Sequence, residues 1–284
     1  MSAHWLTVSL WPTRGPMSPS AARPVHDGGV EGYDDATYGE AFADVYDDWY
    51  AELGDLGATV AMLASYAGGG RVLELGVGTG RLAIALAPSV GEVVGVDASP
   101  RMLSALAAKP GGAAVRALQG DMVDDLPDGP FDLVVVAYNT LFNLRSEARQ
   151  QSCMRAVAER LAPGGRFVVE AFVPADDDGR TSGVGLRSMS ADRVVLSVSR
   201  SDSATQIAEG QYVEFTERGG VRLRPWSIRW ATPTQLDEMA AAAGLVLERR
   251  WGSFAGDEFV VDSERHVSVY RPADSSSRSR IDGG

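Results

Sequence analysis

Four short segments of this chain carry residue types whose spacing could hold a nucleotide-like ligand. In Val72-Leu73-Glu74-Leu75-Gly76-Val77-Gly78-Thr79-Gly80, an apolar run ends in three glycines at alternate positions, with an acid two residues before the first. Glycines so placed let the backbone turn sharply and approach a ligand closely. The spacing is G-x-G-x-G, whereas the dinucleotide fingerprint is G-x-G-x-x-G. Asp97 closes the next apolar run, Val93–Val96, about 20 residues beyond the turn, where an acid can accept hydrogen bonds from a ribose diol. It could instead cap the helix that opens at Pro100, a role Ser99 can also fill. Gly120-Asp121-Met122 offers a carboxylate for an exocyclic amine and a thioether to pack on a ring; the alternative is a loop acid capping its own turn. Phe131–Ala137, strongly apolar, leads into Tyr138 and Asn139.

The elements that must position these residues alternate. Strands are expected at Val72–Leu75, Glu92–Val96, Ala114–Gln119, Phe131–Ala137 and Arg166–Phe172, and helices at Arg81–Ala87, Pro100–Ala108 and Ser146–Leu161, the last closed by Pro163-Gly164-Gly165. Alternating strands and helices imply an α/β fold, a doubly wound, mostly parallel sheet. Such sheets bind ligands at the carboxyl ends of their strands. Residues 36–66 read as helical, with Tyr38, Phe42, Tyr46, Trp49 and Tyr50 mostly on one face. At 175–231 the pattern changes to antiparallel strands at Arg193–Arg200, Gln206–Thr216 and Val221–Trp230, with Pro225 implying an edge or a bulge. Trp226, Ile228 and Trp230 alternate with Ser227 and Arg229, as in a strand with one buried side. Helix 233–243 and strands Leu245–Trp251 and His266–Arg271 return to the α/β style. The organisation expected is a flexible leader (1–32), a core (33–174 and 232–272) with an N-terminal helical lid, a β-rich cap (175–231) and a disordered tail (273–284).

A net charge of −12 disfavours nucleic acid and anionic lipid as partners. No apolar run approaches the roughly 20 residues of a membrane span, and the start lacks the basic flank and long apolar stretch of a signal peptide. The single cysteine, Cys153, fits a reducing cytoplasm and reads as a small core residue. Oligomeric state is left open.

Taken as a set, the four segments resemble the seven-stranded, Rossmann-like class I methyltransferases that use S-adenosylmethionine (SAM). The resemblance covers roughly 36–172 in motifs and 233–271 in the terminal strands. It implies that Gly76, Gly78 and Gly80 line the methionine moiety, Glu74 helps orient its amino group, Asp97 holds the ribose, and Asp121 with Met122 holds the adenine. Ala98 and Met102 join the cofactor-binding set, and Tyr138 lies where the chain passes the reactive methyl. The stretch Tyr38–Asp47 is similar to the lid of small-molecule methyltransferases, which makes Tyr38 and Tyr46 ligand-facing candidates; core packing is the alternative. The Asn/Asp-Pro-Pro-aromatic signature of nucleic-acid amino methyltransferases is absent, since the chain reads Ala137-Tyr138-Asn139-Thr140. No carboxylate cluster of a metal-dependent branch is evident. The expected activity is methyl transfer to N, O or S of a small-molecule acceptor, with Glu170, Tyr46 and Tyr138 as candidate catalytic groups. Glu170 could equally be a paired acid beside the sheet. Of three histidines, His4 and His26 fall in the leader, and His266 reads as a packed surface or edge residue. The Trp226 face could close over an acceptor or form the cap's own core. An oxidoreductase would need a different glycine spacing and a Tyr/Lys or His constellation that a single lysine, Lys109, does not suggest. A SAM-binding protein without turnover is the alternative of another class.

Overall fold

The computed structural model describes Val30, 32–51, 53–175 and 179–273. Most of the expected leader and all but Ala273 of the expected tail lie outside these residues. Two compact units are present: 34–175 with 228–273, and 179–227 with the few described residues before Asp34.

In the first unit, β1 (Arg71–Leu75), β2 (Glu92–Asp97), β3 (Val115–Gln119), β4 (Phe131–Val136) and β5 (Leu161–Phe172) run parallel, and the sheet is completed by β10 (Leu245–Trp251) and β11 (Arg265–Pro272). The order is β10-β11-β5-β4-β1-β2-β3, and β11 is antiparallel to both neighbours. The order reverses between β1 and β4, the switch point at which an open α/β sheet leaves a crevice. Val72, Leu133, Val135, Val168 and Val267 are fully buried on one face, packed with Leu63 and Leu82. Strands covered on both faces read as continuous apolar runs. β5 begins at Leu161, five residues before the expected start, so Pro163-Gly164-Gly165 lies within the strand and does not simply close the preceding helix.

The N-terminal stretch read as one helical region is three helices: α1 (Thr37–Phe42), α2 (Tyr46–Trp49) and α3 (Leu56–Ala67). The Asp55 carboxylate accepts from Ala58 N at 2.9 Å and starts α3 afresh. Gly54, at φ 64°, sits in the break. Aromatic periodicity signalled helix but could not register these interruptions. Helices α4 (Arg81–Leu86), α5 (Pro100–Ala108), α6 (Glu147–Ala158) and α7 (Pro233–Ala242) fall where expected.

His266 is not at a surface or an edge. β11 lies between β10 and β5, and the ring is fully buried, with Nδ1 2.8 Å from Ser268 Oγ. Burial, aided by the Arg250 charge, holds its pKa down at about 3. An unfolded imidazole titrates near 6.5, so the unfolded state binds the extra proton between about 6.5 and 3, and stability falls as pH drops through that window. A His266→Gln variant is therefore expected to lose less melting temperature than the parent between pH 7 and pH 5. Parallel melting curves over that range would disprove the assignment.

The second unit is a four-stranded antiparallel sheet in the order β6 (Arg180–Met189), β7 (Arg193–Asp202), β8 (Ile207–Thr216), β9 (Gly220–Arg229). β9 is an edge strand, one of the two placements expected from Pro225. β6 escaped the sequence reading because Gly183, Gly185, Ser182 and Ser188 give it weak strand propensity; its pairing with β7 supplies what local sequence does not. The expected single buried side at 226–230 is corrected. Trp226, Ser227, Arg229 and Trp230 are all buried. Arg229 donates to Gln150 Oε1 at 2.9 Å and Glu147 Oε2 at 2.8 Å on α6, so the polar side of the pattern is buried by ion pairing and hydrogen bonding.

Candidate active site

At the switch point, Gly76 N and Val77 N both donate to Val96 O, at 2.8 and 3.0 Å. This ties the glycine turn to the end of β2. Gly76 adopts φ 67°, and a Cβ there would sit 2.3 Å from Thr140 Cγ2. Both the backbone conformation and the space exclude a side chain.

Asp97 is held beneath the turn. Its Oδ2 accepts from Gly78 N at 2.8 Å and its Oδ1 from Ser99 N at 2.9 Å. The helix cap is Ser99, whose hydroxyl accepts from Met102 N. Asp97 is thus free of the capping role, and a carboxylate with one bond to each oxygen keeps acceptor sites for two hydroxyls. Burial raises its pKa, opposed by those two backbone donors.

Asp121 is more engaged than its sequence context suggested. Oδ1 accepts from Val123 N and Asp124 N at 2.8 and 3.0 Å and pairs with Arg149 Nη2 at 2.5 Å. It caps its own turn while facing the cavity. Asp35 shares this corner: burial, then the Asp121 charge, raises its pKa, and Arg149 and Arg145 oppose the rise.

One cavity is lined by Tyr38, Tyr46, Gly76, Gly78, Asp97, Ala98, Met102, Asp121 and Met122, all singled out from sequence. Glu74, Gly80, Tyr138 and Glu170 do not line it. Gly80 instead precedes α4 and faces Leu106 and Ile84. Asp35, Gly39, Thr140, Asn143 and Leu144 line it without having been anticipated. Asp35 and Gly39 flank Tyr38 and were reachable by the lid argument. Thr140, Asn143 and Leu144 sit in a turn after β4 for which the sequence offers no signal.

Glu74 lies behind the glycine turn, 6% exposed, and its Oε2 has no hydrogen-bond partner among the described residues. Burial pushes its pKa up to about 8; Arg81 opposes this and Asp97 adds to it. Arg81 opens α4, donates to Leu53 O at 2.9 Å and lies 4.3 Å over the Tyr138 ring. Sequence reasoning passed over it because one arginine at a helix start carries no distinctive signal.

Glu170 Oε2 accepts from Tyr138 N at 3.0 Å, and its backbone oxygen from Asn139 N at 3.2 Å. Asn139 Oδ1 accepts from Phe172 N at 2.7 Å. Tyr138 and Asn139 both adopt left-handed conformations, φ 55° and 63°, which are uncommon outside glycine. These bonds secure the turn. Burial raises the pKa of Glu170, Tyr46 and Tyr138 alike.

Two acids latch the N-terminal helices. Ser99 Oγ donates to Glu40 Oε1 at 2.6 Å, and Arg101 Nη1 to Glu40 O at 2.6 Å. Asp47 Oδ1 accepts from Thr79 Oγ1 and from Lys109 Nζ, each at 2.7 Å. Tyr38 stacks on Phe42, with ring centroids 4.4 Å apart.

Residues 72–165 match a family model described as a methyltransferase domain. Over 245 residues the chain is 31% identical to the cypemycin N-terminal methyltransferase of a Streptomyces species, spanning 83% of this chain and 98% of that protein. The chain belongs to the methyltransferase family. The solved CcbJ methyltransferase from Streptomyces caelestis is 39% identical, with a TM-score of 0.77 over 85% of this chain and all of that one. The fold is also that of SAM-bound CalS10, an amino pentose methyltransferase from Micromonospora echinaspora, at 24% identity and a TM-score of 0.61 over 79% and 96% of the two chains. This is a class I methyltransferase, and its cofactor is SAM. The site fits that group. Glu74 Oε2, buried and unpartnered, suits an ammonium; Asp97 suits a diol; and the bare Gly76 turn admits a close backbone approach.

The packing of α1 against α5 can be tested at Gly39. A Cβ there would lie 2.3 Å from Ser99 Cβ and 2.9 Å from Ser99 Oγ. Gly39→Val is expected to lift α1 from α5 and weaken SAM binding by roughly tenfold or more, the loss of one or two such charge-assisted latches. Unchanged affinity by calorimetry would show that α1 does not close on the cofactor.

Proposed function

We propose that this methyltransferase transfers the methyl group of SAM to an amine nitrogen of a small natural-product or short-peptide acceptor in the cytoplasm. The observation that carries this reading is the state of the polar groups beside the cavity. Glu170 gives one carboxylate oxygen to the Tyr138 amide, burial raises the pKa of Tyr46 and Tyr138, and the neutral His266 is buried in the sheet. A neutral amine attacks with its own lone pair and releases its proton afterwards. A hydroxyl must lose its proton as it attacks and needs a positioned base. The kinship with a protein named for N-terminal methylation supports the same choice.

SAM, when bound, supplies a methyl group on a sulfonium, an electrophile that needs no further activation by the protein. Glu74, from behind the glycine turn, would hold the amino group, Asp97 would hold the ribose, and Asp121 with Met122 the adenine. Gly76 and Gly78 admit the methionine moiety, with Gly80 setting the start of α4 behind them. Ala98 and Met102 border the adenosine. Tyr38 and Tyr46 close the lid side and exclude water. Glu170 secures the Tyr138–Asn139 turn that leads to Thr140, which lines the cavity. Positioning of this kind can supply about 7–11 kcal/mol of barrier lowering. No group of three or more His, Cys, Asp or Glu able to hold a metal occurs among the described residues, and no helix among them is long and apolar enough to cross a membrane.

The test is transfer from labelled SAM to matched acceptors, aminosugar and free-amino-terminal peptide against their hydroxyl counterparts. Label on the amines alone, with a rate that follows the amine's own titration, is the expected outcome. Transfer to a hydroxyl with the amine inert, or a loss beyond about 100-fold in a folded Glu170→Gln, would point instead to general-base catalysis. Tight SAM binding with no transfer to any acceptor would favour a binding protein without turnover.

A further inference from the structure

The charged residues that line the cofactor cavity are all acids, Asp35, Asp97 and Asp121, and no cation lines it among the described residues. The N-terminal helices cannot supply one, because the chain has no Lys, Arg or His between Val30 and Gly70. Two cations bonded at its margins are committed to acids. Arg149 pairs with Asp121 and Asp124 at 2.5 and 2.6 Å, and Lys109 with Asp47 at 2.7 Å. SAM nevertheless carries one negative group, the α-carboxylate of its methionine arm, and a carboxylate taken out of water needs a donor.

A buried polar cluster adjoins the cavity at Tyr46. This side chain lines the cavity and lies within electrostatic reach of Arg81, Glu74 and Tyr138. In the cluster Glu74 Oε2 and Arg81 Nη2 are both buried, and neither has a hydrogen-bond partner among the described residues. The two groups are close enough for the Arg81 charge to act on Glu74, yet neither of these atoms is met by the other. The guanidinium is held from two sides. Nη1 donates to Leu53 O at 2.9 Å, and Cζ lies 4.3 Å over the Tyr138 ring. Glu170, whose charge also reaches Arg81, gives its Oε2 to the Tyr138 amide. An acid and a guanidinium buried side by side, each with an unsatisfied atom, cost stability unless a guest completes both. That guest must present an ammonium and a carboxylate together. An α-amino acid group carries both on one carbon.

We propose that Arg81 binds the α-carboxylate of the SAM methionine arm while Glu74 takes its ammonium, so that the two side chains recognise the zwitterion as a unit. This rests on the placement of SAM in the cavity. The test is calorimetry on the full chain at neutral pH with S-adenosylhomocysteine and with its decarboxylated analogue, which keeps the adenosine, the thioether and the amine. The parent is expected to bind S-adenosylhomocysteine roughly tenfold to 100-fold more tightly, the scale of one lost charge-assisted bond. In Arg81→Met, checked for folding by its melting curve, the two ligands are expected to bind equally well. Glu74→Gln is expected to weaken both and keep the preference, because both ligands carry the amine. If Arg81→Met does not fold, Arg81→Lys decides. It keeps the charge but loses the planar fork, and a reduced preference is expected. A parent that binds both ligands equally, or a preference undiminished in a folded Arg81 variant, would overturn the proposal. A parent that binds neither ligand would overturn the placement of SAM in this cavity, and the role of Arg81 with it.

Discussion

Asp97→Ala is expected to weaken SAM binding by at least tenfold, and by as much as several thousandfold, in a protein that still folds. Two ribose hydroxyls lose a charged acceptor, and hydrogen bonds to charged groups contribute about 1.5–3 kcal/mol each. Tenfold in affinity is about 1.4 kcal/mol. The substitution also orphans Gly78 N and Ser99 N, which Asp97 holds at 2.8 and 2.9 Å. Part of the loss would therefore come from a loosened glycine turn. Asp97→Asn separates the two contributions, since the amide keeps the size and one acceptor oxygen but loses the charge. Calorimetry on both variants, with melting curves as the check on folding, decides the matter. Unchanged affinity in a folded Asp97→Ala would remove Asp97 from the cofactor site.

Glu74 is expected to make cofactor binding depend on pH. Its carboxyl is protonated in the free protein up to about 8, whereas an ammonium beside it favours the ionised form. Below that pH, binding must expel a proton. Affinity is then expected to rise by up to about tenfold per pH unit between pH 5.5 and 7.5, approaching a plateau near 8, where the α-amino group of SAM, with a reference pKa of about 7.7–8.0, begins to titrate in turn. Glu74→Gln should flatten the acidic limb and bind more weakly than the parent at pH 7.5. The free protein carries the opposite signature. An acid whose folded pKa lies above its unfolded value of about 4.5 gives the folded state the extra proton between about 4.5 and 8, so stability falls as pH rises through that window. Relative to Glu74→Gln, the free parent should lose melting temperature over that range. Equal pH profiles for both proteins, in binding and in melting, would mean that Glu74 neither meets the ammonium nor carries a raised pKa.

These two carboxylates show how differently parts of the site were legible. Asp97 could be placed from sequence because its position follows from local rules. A strand must end before a helix begins, Ser99 with Pro100 marks the helix start, and the acid left at the strand terminus faces the crevice. Glu74 could be placed at the strand end for the same reason, but its titration could not. Its raised pKa arises from burial beneath a turn, moderated by Arg81 from the next helix, and burial is set by everything that packs around the group.

By itself the sequence determined the alternating α/β order, the glycine turn, Asp97 and the Asp121-Met122 corner, because strand and helix periodicity and backbone conformation at glycine are short-range properties. The tertiary structure decided the rest. It brought Thr140, Asn143 and Leu144 to the cavity across the switch point, since sheet order and not chain order makes β4 the neighbour of β1. It tied Asp121 to Arg149, 28 residues away. It set Glu170 Oε2 to accept from the Tyr138 amide, a contact that a residue at a strand end does not disclose. And it exposed Val184, Leu186, Val221 and Leu223 together. Strand alternation says which side chains share a face, but only the packing of the whole chain settles which face meets water.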